Sequence, residues 1–261
     1  MEIAGFLFAL LIGVSLGLIG GGGSILTIPL LVYFFHIPPT IATGYSLFIV
    51  GISSLAGAVN SYKNGNINFN ASFYFGITSI ITVVLIRHFL LPIIPEQIFQ
   101  FQQFSITRSF LTMFLLAILM IVASFNMILK AHVSISNQPN ISKWTALIRG
   151  IQIGILTGLL GAGGGFLIIP VLLFSFKLPM KQAIGSSLLI IALNALFGFA
   201  SDMAHYEIHW KLLLTLTACA VIGTYIGNKI GLKVPAENLK KGFGFFILLA
   251  GIYILLQELF F

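Results

Sequence analysis

The sequence predicts an all-α polytopic membrane protein with two homologous halves, each holding one glycine-broken, re-entrant helix and three transmembrane helices. Three observations predict it. Of 261 residues, 58% are hydrophobic and 7% charged, and mean hydropathy is +1.08. Soluble domains carry about 25% charged residues, so this surface is not one made for water. Disorder needs the opposite composition. The apolar residues run continuously without the alternation of a β-barrel, which leaves spanning helices. Finally, a pattern marked by glycines and prolines occurs twice at one fixed spacing.

From Ile3 to Tyr62 there is no Asp, Glu, Lys or Arg, a run of 60 residues. At about 20 residues per span this exceeds two crossings, so its breaks must come from glycine and proline. The first element covers 3–35 and is interrupted at Gly20, Gly21, Gly22 and Gly23. The N-terminus has no cationic region or small-residue cleavage signal, so it reads as a retained membrane segment. The second element covers 40–62, after His36-Ile37-Pro38-Pro39, and the third covers 69–92, ending at Pro92. The Gln- and Phe-rich stretch from Pro95 to Arg108 is expected to be an interfacial helix, followed by a fourth element over 109–130. A polar connector, 131–143, separates the first half (1–130) from the second (144–261). The second half holds 145–176, interrupted at Gly161, Gly163, Gly164 and Gly165, then 181–203, 210–230 and 242–260.

The two halves align without a gap from 17 to 70 at an offset of 141. At that offset Gly17, Gly20, Gly22, Gly23, Pro29, Pro38, Gly44, Ser46 and Gly57 fall on Gly158, Gly161, Gly163, Gly164, Pro170, Pro179, Gly185, Ser187 and Gly198. Leucines coincide cheaply in membrane segments; co-registered glycines and prolines do not. The match is that of an internal repeat.

About 33 apolar residues are too many for one straight span and too few for two. Each broken element therefore either crosses once as a discontinuous helix or dips in and returns. Loop charge discriminates between the two. Crossing elements divide the 13 Lys and Arg residues 8 against 5; re-entrant ones divide them 10 against 3, with Arg87, Arg108 and Lys211 on the minority side. The re-entrant arrangement fits the positive-inside rule better. It gives three spans per half, inverted halves, a cytoplasmic connector and both termini outside.

Irregular backbone at membrane depth must line protein or a cavity, so the paired breaks point to a binding site. Each break starts a half-helix whose first N–H groups lack intrahelical partners and carry about half a positive charge. Such N-termini bind anions. The candidate substrate-binding residues are Gly20, Gly22, Gly23, Ser24 and Ser46, with Gly161, Gly163, Gly164, Gly165 and Ser187. Ser24 adds a hydroxyl where the second half has Gly165, and Pro29 and Pro170 each free a carbonyl as structural breaks. The alternative is close packing, the reading that suits Gly13/Gly17 and Gly154/Gly158. Ser46 and Ser187 line the pathway or bond back to their own helices.

The doubled G-xx-G-x-GG-x₅-P pattern stands at 17–29 and 158–170, each followed by a Pro-containing turn and an A-x-G-x-S segment at Ala42/Gly44/Ser46 and Ala183/Gly185/Ser187. It resembles the sulfite exporter (TauE/SafE) family of membrane transporters over nearly the whole chain. The resemblance implies export of sulfite or small organosulfonate anions.

The remaining polar residues carry blander expectations. Asn194 is helix–helix glue. Asp202 and His205 sit near a helix end, with Asp202 an interfacial acid peripheral to coupling; the alternative is a coupling-proton site. Arg87-His88 snorkels from the end of the third element. Cys219, the only cysteine, is inert packing. Ser15 completes G-x-S-x-G literally but lacks the strand–turn–helix context, so an enzyme is not expected. No His/Cys/carboxylate cluster has metal-ligand spacing, and no cofactor is expected. The paired breaks and the resemblance together imply a secondary-type transporter of small anions, working by alternating access in a bacterial inner membrane. A passive anion channel and a non-transporting scaffold are the alternatives. The expected partners are the small anionic substrate, the lipid bilayer, a coupling proton or cation and a second copy of the chain; nucleic acid is not.

Overall fold

The computed structural model describes residues 2–101, 104–129, 143–161, 163–203, 208–231 and 236–260. Ten helices account for nearly all of them. In chain order they are α1 (Glu2–Ile19), α2 (Gly23–Phe34), α3 (Pro39–Lys63), α4 (Phe69–Ile93), α5 (Arg108–Leu129), α6 (Lys143–Leu160), α7 (Gly165–Phe174), α8 (Met180–Asp202), α9 (Trp210–Gly231) and α10 (Ala236–Phe260). Five are long and apolar enough to cross a membrane: α3, α4, α8, α9 and, over Arg108–Phe125, α5. The 25-residue α10 is apolar over Ile247–Leu259.

Most boundaries follow from local chemistry. Pro39 occupies the first turn of α3, where its missing N–H costs nothing. Asn68 caps α4 by accepting from the Ala71 N–H at 3.0 Å. One expected element differs. Two segments, β1 (Gln97–Phe101) and β2 (Phe104–Thr107), pair as antiparallel strands in place of an interfacial helix. The stretch Phe99-Gln100-Phe101 alternates apolar and polar, and Ile98, Ile106 and Thr107 add β-branched residues, which suits a strand. The Arg108 N–H closes the pair onto the Glu96 carbonyl at 2.8 Å. The 131–143 connector, apart from Lys143, and His205 lie outside the described residues.

Both broken elements are hairpins. α2 runs back along α1: the rings of Phe6 and Phe35 lie 5.7 Å apart and those of Phe8 and Phe34 4.8 Å apart. α7 likewise returns, bringing Phe176 within 6.3 Å of Phe75, whose carbonyl packs on Gly150 near the start of α6. The turn leaving each hairpin is the same. His36 (φ 52) and Lys177 (φ 53) are the only non-glycine positive-φ residues described. They are followed by Ile37 N–H to Leu31 O at 3.1 Å and Leu178 N–H to Leu172 O at 3.2 Å. Helices also start in pairs 141 residues apart, at Glu2 and Lys143, Pro39 and Met180, and Phe69 and Trp210.

The helix directions can be read from the glycine seams. Along α1 and α9, Leu10 meets Gly223, Gly17 meets Asn228 and Leu18 meets Gly231, so these helices are parallel. Along α4 and α6, Phe75 meets Gly150, Thr82 meets Gly154 and Ile86 meets Gly158, again parallel. α3 and α8 instead run antiparallel, with Leu47 on Gly198 and Leu188 on Gly57. They form the centre: 72% and 67% of their apolar windows are buried, against 22% for α4. The outer helices expose Leu7, Phe73, Ile81, Leu214, Ile222 and Leu249, the surface a lipid solvent requires.

Candidate functional site

The hairpin tips meet at the centre. α1 ends where the Gly20 N–H bonds to Leu16 O at 2.7 Å, and α6 ends where the Gly161 N–H bonds to Thr157 O at 2.9 Å. Gly161, Gly163 and Gly164 all hold φ between 66 and 68, a left-handed backbone that only glycine enters without cost. Gly21 and Gly165 touch through their main chains. A Cβ on Gly21 would lie 2.6 Å from the Gly165 carbonyl oxygen, and one on Gly165 would lie 2.6 Å from the Gly21 Cα. No larger residue permits this approach.

Around the tips the predicted residues divide. Ser187 reaches across from α8, its hydroxyl 2.7 Å from Gly20 O and 2.8 Å from its own Ile184 O. Gly163 sits against Val50 of α3 and Ile191 of α8. Ser46 is fully buried, and its hydroxyl, like those of Thr27, Ser53 and Ser54, has no partner among the described residues. Buried polar groups are normally paired, so four such hydroxyls need an explanation. Other residues turn inward to their own hairpin. Gly23 packs against Ile12, Ser15 and Leu16 of α1, and Ser24 donates to Gly21 O at 2.8 Å. Gly22 opens the turn between them. Pro29 precedes a π-helical turn at Leu30–Phe34, and Pro170 lies inside α7. Ser15 donates to Ile12 O within α1.

Two expectations are corrected. Arg87 does not snorkel: it is 2% exposed and pairs with Asp202, which is itself 7% exposed and not an interfacial acid. A buried arginine needs a counter-charge, and Asp202 is the acid that α8 brings beside it. Arg87 stands in a π-helical turn of α4, Ile86–Leu90. Its Nε donates to the Gly158 carbonyl at 3.1 Å and its Nη1 donates to Asp202. Gly158 belongs to the last turn of α6, so one side chain ties α4, the second hairpin tip and α8 together. A Cβ on Gly161 would lie 2.6 Å from Arg87 Nη2. A cavity of about 470 Å³ between the first hairpin and α10 is almost wholly apolar. A second, of about 430 Å³, is mixed: Ile41, Leu91 and Pro92 line it together with Thr40, Thr43 and the charged Arg87, Glu96, Arg108 and Asp202.

The sequence held a signal for this pair. Arg87 is the only Lys, Arg, Asp or Glu between Lys63 and Glu96, and Asp202 is the only acid between Glu96 and Glu207. Lone charges of opposite sign in apolar surroundings seek each other. Asn194 behaves as glue: fully buried, it donates to the Ser79 hydroxyl of α4 at 2.6 Å.

These features define a polytopic helical membrane protein with irregular, glycine-rich backbone at two facing hairpin tips. The Sulfite exporter TauE/SafE family model matches residues 5–254, and the chain belongs to that family of membrane transporters. It is 30% identical over 246 residues to the probable membrane transporter protein YdhB of Bacillus subtilis, covering 94% of this chain and 96% of that one. Probable membrane transporter proteins of Methanocaldococcus jannaschii (28% identity; 97% of this chain, 94% of the relative) and Xylella fastidiosa (25%; 94% and 91%) are similar over their full lengths. No solved structure matches.

Proposed function

We propose that the chain is a secondary-type transporter that exports sulfite or small organosulfonate anions across a bacterial inner membrane. The substrate would be held at mid-depth by Gly20, Gly22, Ser46, Gly161, Gly163, Gly164, Gly165 and Ser187, with Pro29 and Pro170 shaping the breaks; Gly23, packed on α1, and Ser24, whose hydroxyl Gly21 O takes, drop out of the set. The observation that carries this reading is the backbone-to-backbone meeting of Gly21 and Gly165; the buried, unpartnered hydroxyl of Ser46 on α3, whose Val50 packs on Gly163, supports it. Helix N-termini at depth supply positive potential without a lysine. The antiparallel α3 and α8, whose starts lie 141 residues apart, support two inverted halves. Inverted repeats that rock about a midplane site are the usual basis of alternating access. The connector then faces the cytoplasm and both termini face outward, with a proton or cation as the coupling ion.

Purified protein in liposomes should take up labelled sulfite, thiosulfate or sulfonates with saturable kinetics and should exchange internal for external anion. Unsaturable flux without exchange would make it a channel, and no flux with any anion of the panel, phosphate included, would refute the reading.

A further inference from the structure

We propose that Arg87 is an anion-receiving side chain at one end of the pathway, and that Asp202 occupies its guanidinium until the anion displaces it. The inference rests on the anion-transport reading above and adds a station that the glycine tips do not supply.

Four observations support it. The first is access. Arg87 and Asp202 both line the mixed cavity, whose volume of about 430 Å³ lies in the usual range for ligand sites, roughly 300–1,000 Å³. Arg108, Thr40 and Thr43 line it too, with Glu96 as a second acid; the wall thus offers a second cation and the Thr40 hydroxyl, while the Thr43 hydroxyl donates to Thr40 O at 2.8 Å. The second is position. Arg87 Nη2 lies beside Gly161, two residues from Gly163 on the tip. The guanidinium therefore stands between the cavity and the glycine break.

The third is charge conservation. A buried guanidinium cannot be left without a counter-charge. A sulfite or sulfonate group presents oxygens that a guanidinium fork can bind in pairs, as it binds a carboxylate. Exchanging Asp202 for the anion therefore keeps Arg87 neutralised throughout, and the displaced carboxylate has Arg108, whose buried Nε has no hydrogen-bond partner among the described residues, as the second cation of the same cavity. The fourth is one-sidedness. The positions 141 residues away hold Asn228 in place of Arg87 and Ser61 in place of Asp202, while Gly17 stands where Gly158 stands. The glycine seam is thus present at both ends and the charged pair at one only. A clamp needed merely to pack the seam would be expected at both.

The test uses the purified full chain, with sulfite and methanesulfonate as probes in titration calorimetry and thermal midpoints measured alongside. Asp202→Asn removes the competitor and should tighten sulfite binding at least fivefold. Arg87→Gln should weaken it at least tenfold. The double variant should bind no more tightly than Arg87→Gln alone, because Asp202 acts through Arg87. If Asp202→Asn does not fold, Arg87→Lys decides: it keeps the ion pair but loses the fork, and should bind sulfite at least fivefold more weakly. Unchanged or weaker binding in folded Asp202→Asn, or unchanged binding in Arg87→Lys, overturns the proposal while leaving the anion reading intact. Wild-type protein that binds neither probe overturns both.

Discussion

Replacing Gly163 with alanine separates an anion site at the hairpin tip from mere close packing. Gly163 holds φ +66, and a Cβ there would stand 2.8 Å from Val50 Cγ1. A side chain in left-handed backbone costs about 1–2 kcal/mol, so the tip will relax away from its present shape. If its N–H groups hold an anion, misdirecting one of them costs about 1.5–3 kcal/mol. At about 1.4 kcal/mol per tenfold, sulfite affinity should fall roughly 10- to 100-fold. The control is Gly223→Ala in the α1–α9 seam. Gly223 has helical backbone, and its Cβ would fall on the Leu10 carbonyl. Overpacking there costs about 1–3 kcal/mol of stability without touching the tip. Calorimetric titration of monodisperse protein, with thermal midpoints beside it, reads both effects. The control should lose stability and keep its affinity. If folded Gly163→Ala and its neighbour Gly164→Ala bind sulfite as tightly as wild type, the N–H site is wrong and these glycines are packing residues.

Three further outcomes are expected. Asn194→Leu strands the Ser79 hydroxyl and should lower stability by about 1–2 kcal/mol, read as a lower thermal midpoint; no change would mean that the bond carries no weight. Ser187→Ala removes the reach from α8 to Gly20 O and should speed hydrogen exchange at the first tip, with α9 unaffected. In a Cys219→Ser background, cysteine at position 137 should resist a membrane-impermeant reagent in intact cells; labelling would reverse the orientation.

Much of the fold was legible because its signals are local. Four glycines in a row end a helix wherever they occur, and Pro38-Pro39 starts the next one at Pro39. The hairpin shape of the broken elements agrees with the arrangement that the loop charges favour. The strand pair of β1 and β2 was misread because a short amphipathic stretch fits either period, and strand pairing depends on a partner segment that no single window shows. Ser24 reads as a ligand donor by position, yet Gly21 O lies within reach of its hydroxyl and takes it. The Arg87–Asp202 pair was missed for a different reason. Its members are 115 residues apart, and each alone near a helix end has an ordinary explanation in water. Only the parallel run of α4 beside α8 brings them together.

Moving Arg87 from loop to interior also sharpens the topology argument. The minority side of the charge count keeps Arg108 and Lys211, so the re-entrant split becomes 10 against 2. The ion pair lies near the end of α4 and the tip of α6, far from the start of α6, and hence on the side of the tips away from the connector. With a cytoplasmic connector, that would be the outward side, toward which an exported anion would leave. A fixed cation alone would trap the anion there. A cation with a built-in competing carboxylate releases it, because Asp202 can retake Arg87 as the anion departs. Asp202→Asn should therefore slow turnover while lowering the half-saturating sulfite concentration, so that kcat and KM fall together. Initial efflux rates from oriented liposomes across a range of sulfite concentrations measure both. A fall in kcat with KM unchanged or raised would mean that Asp202 only holds the helices together, and that release is governed elsewhere.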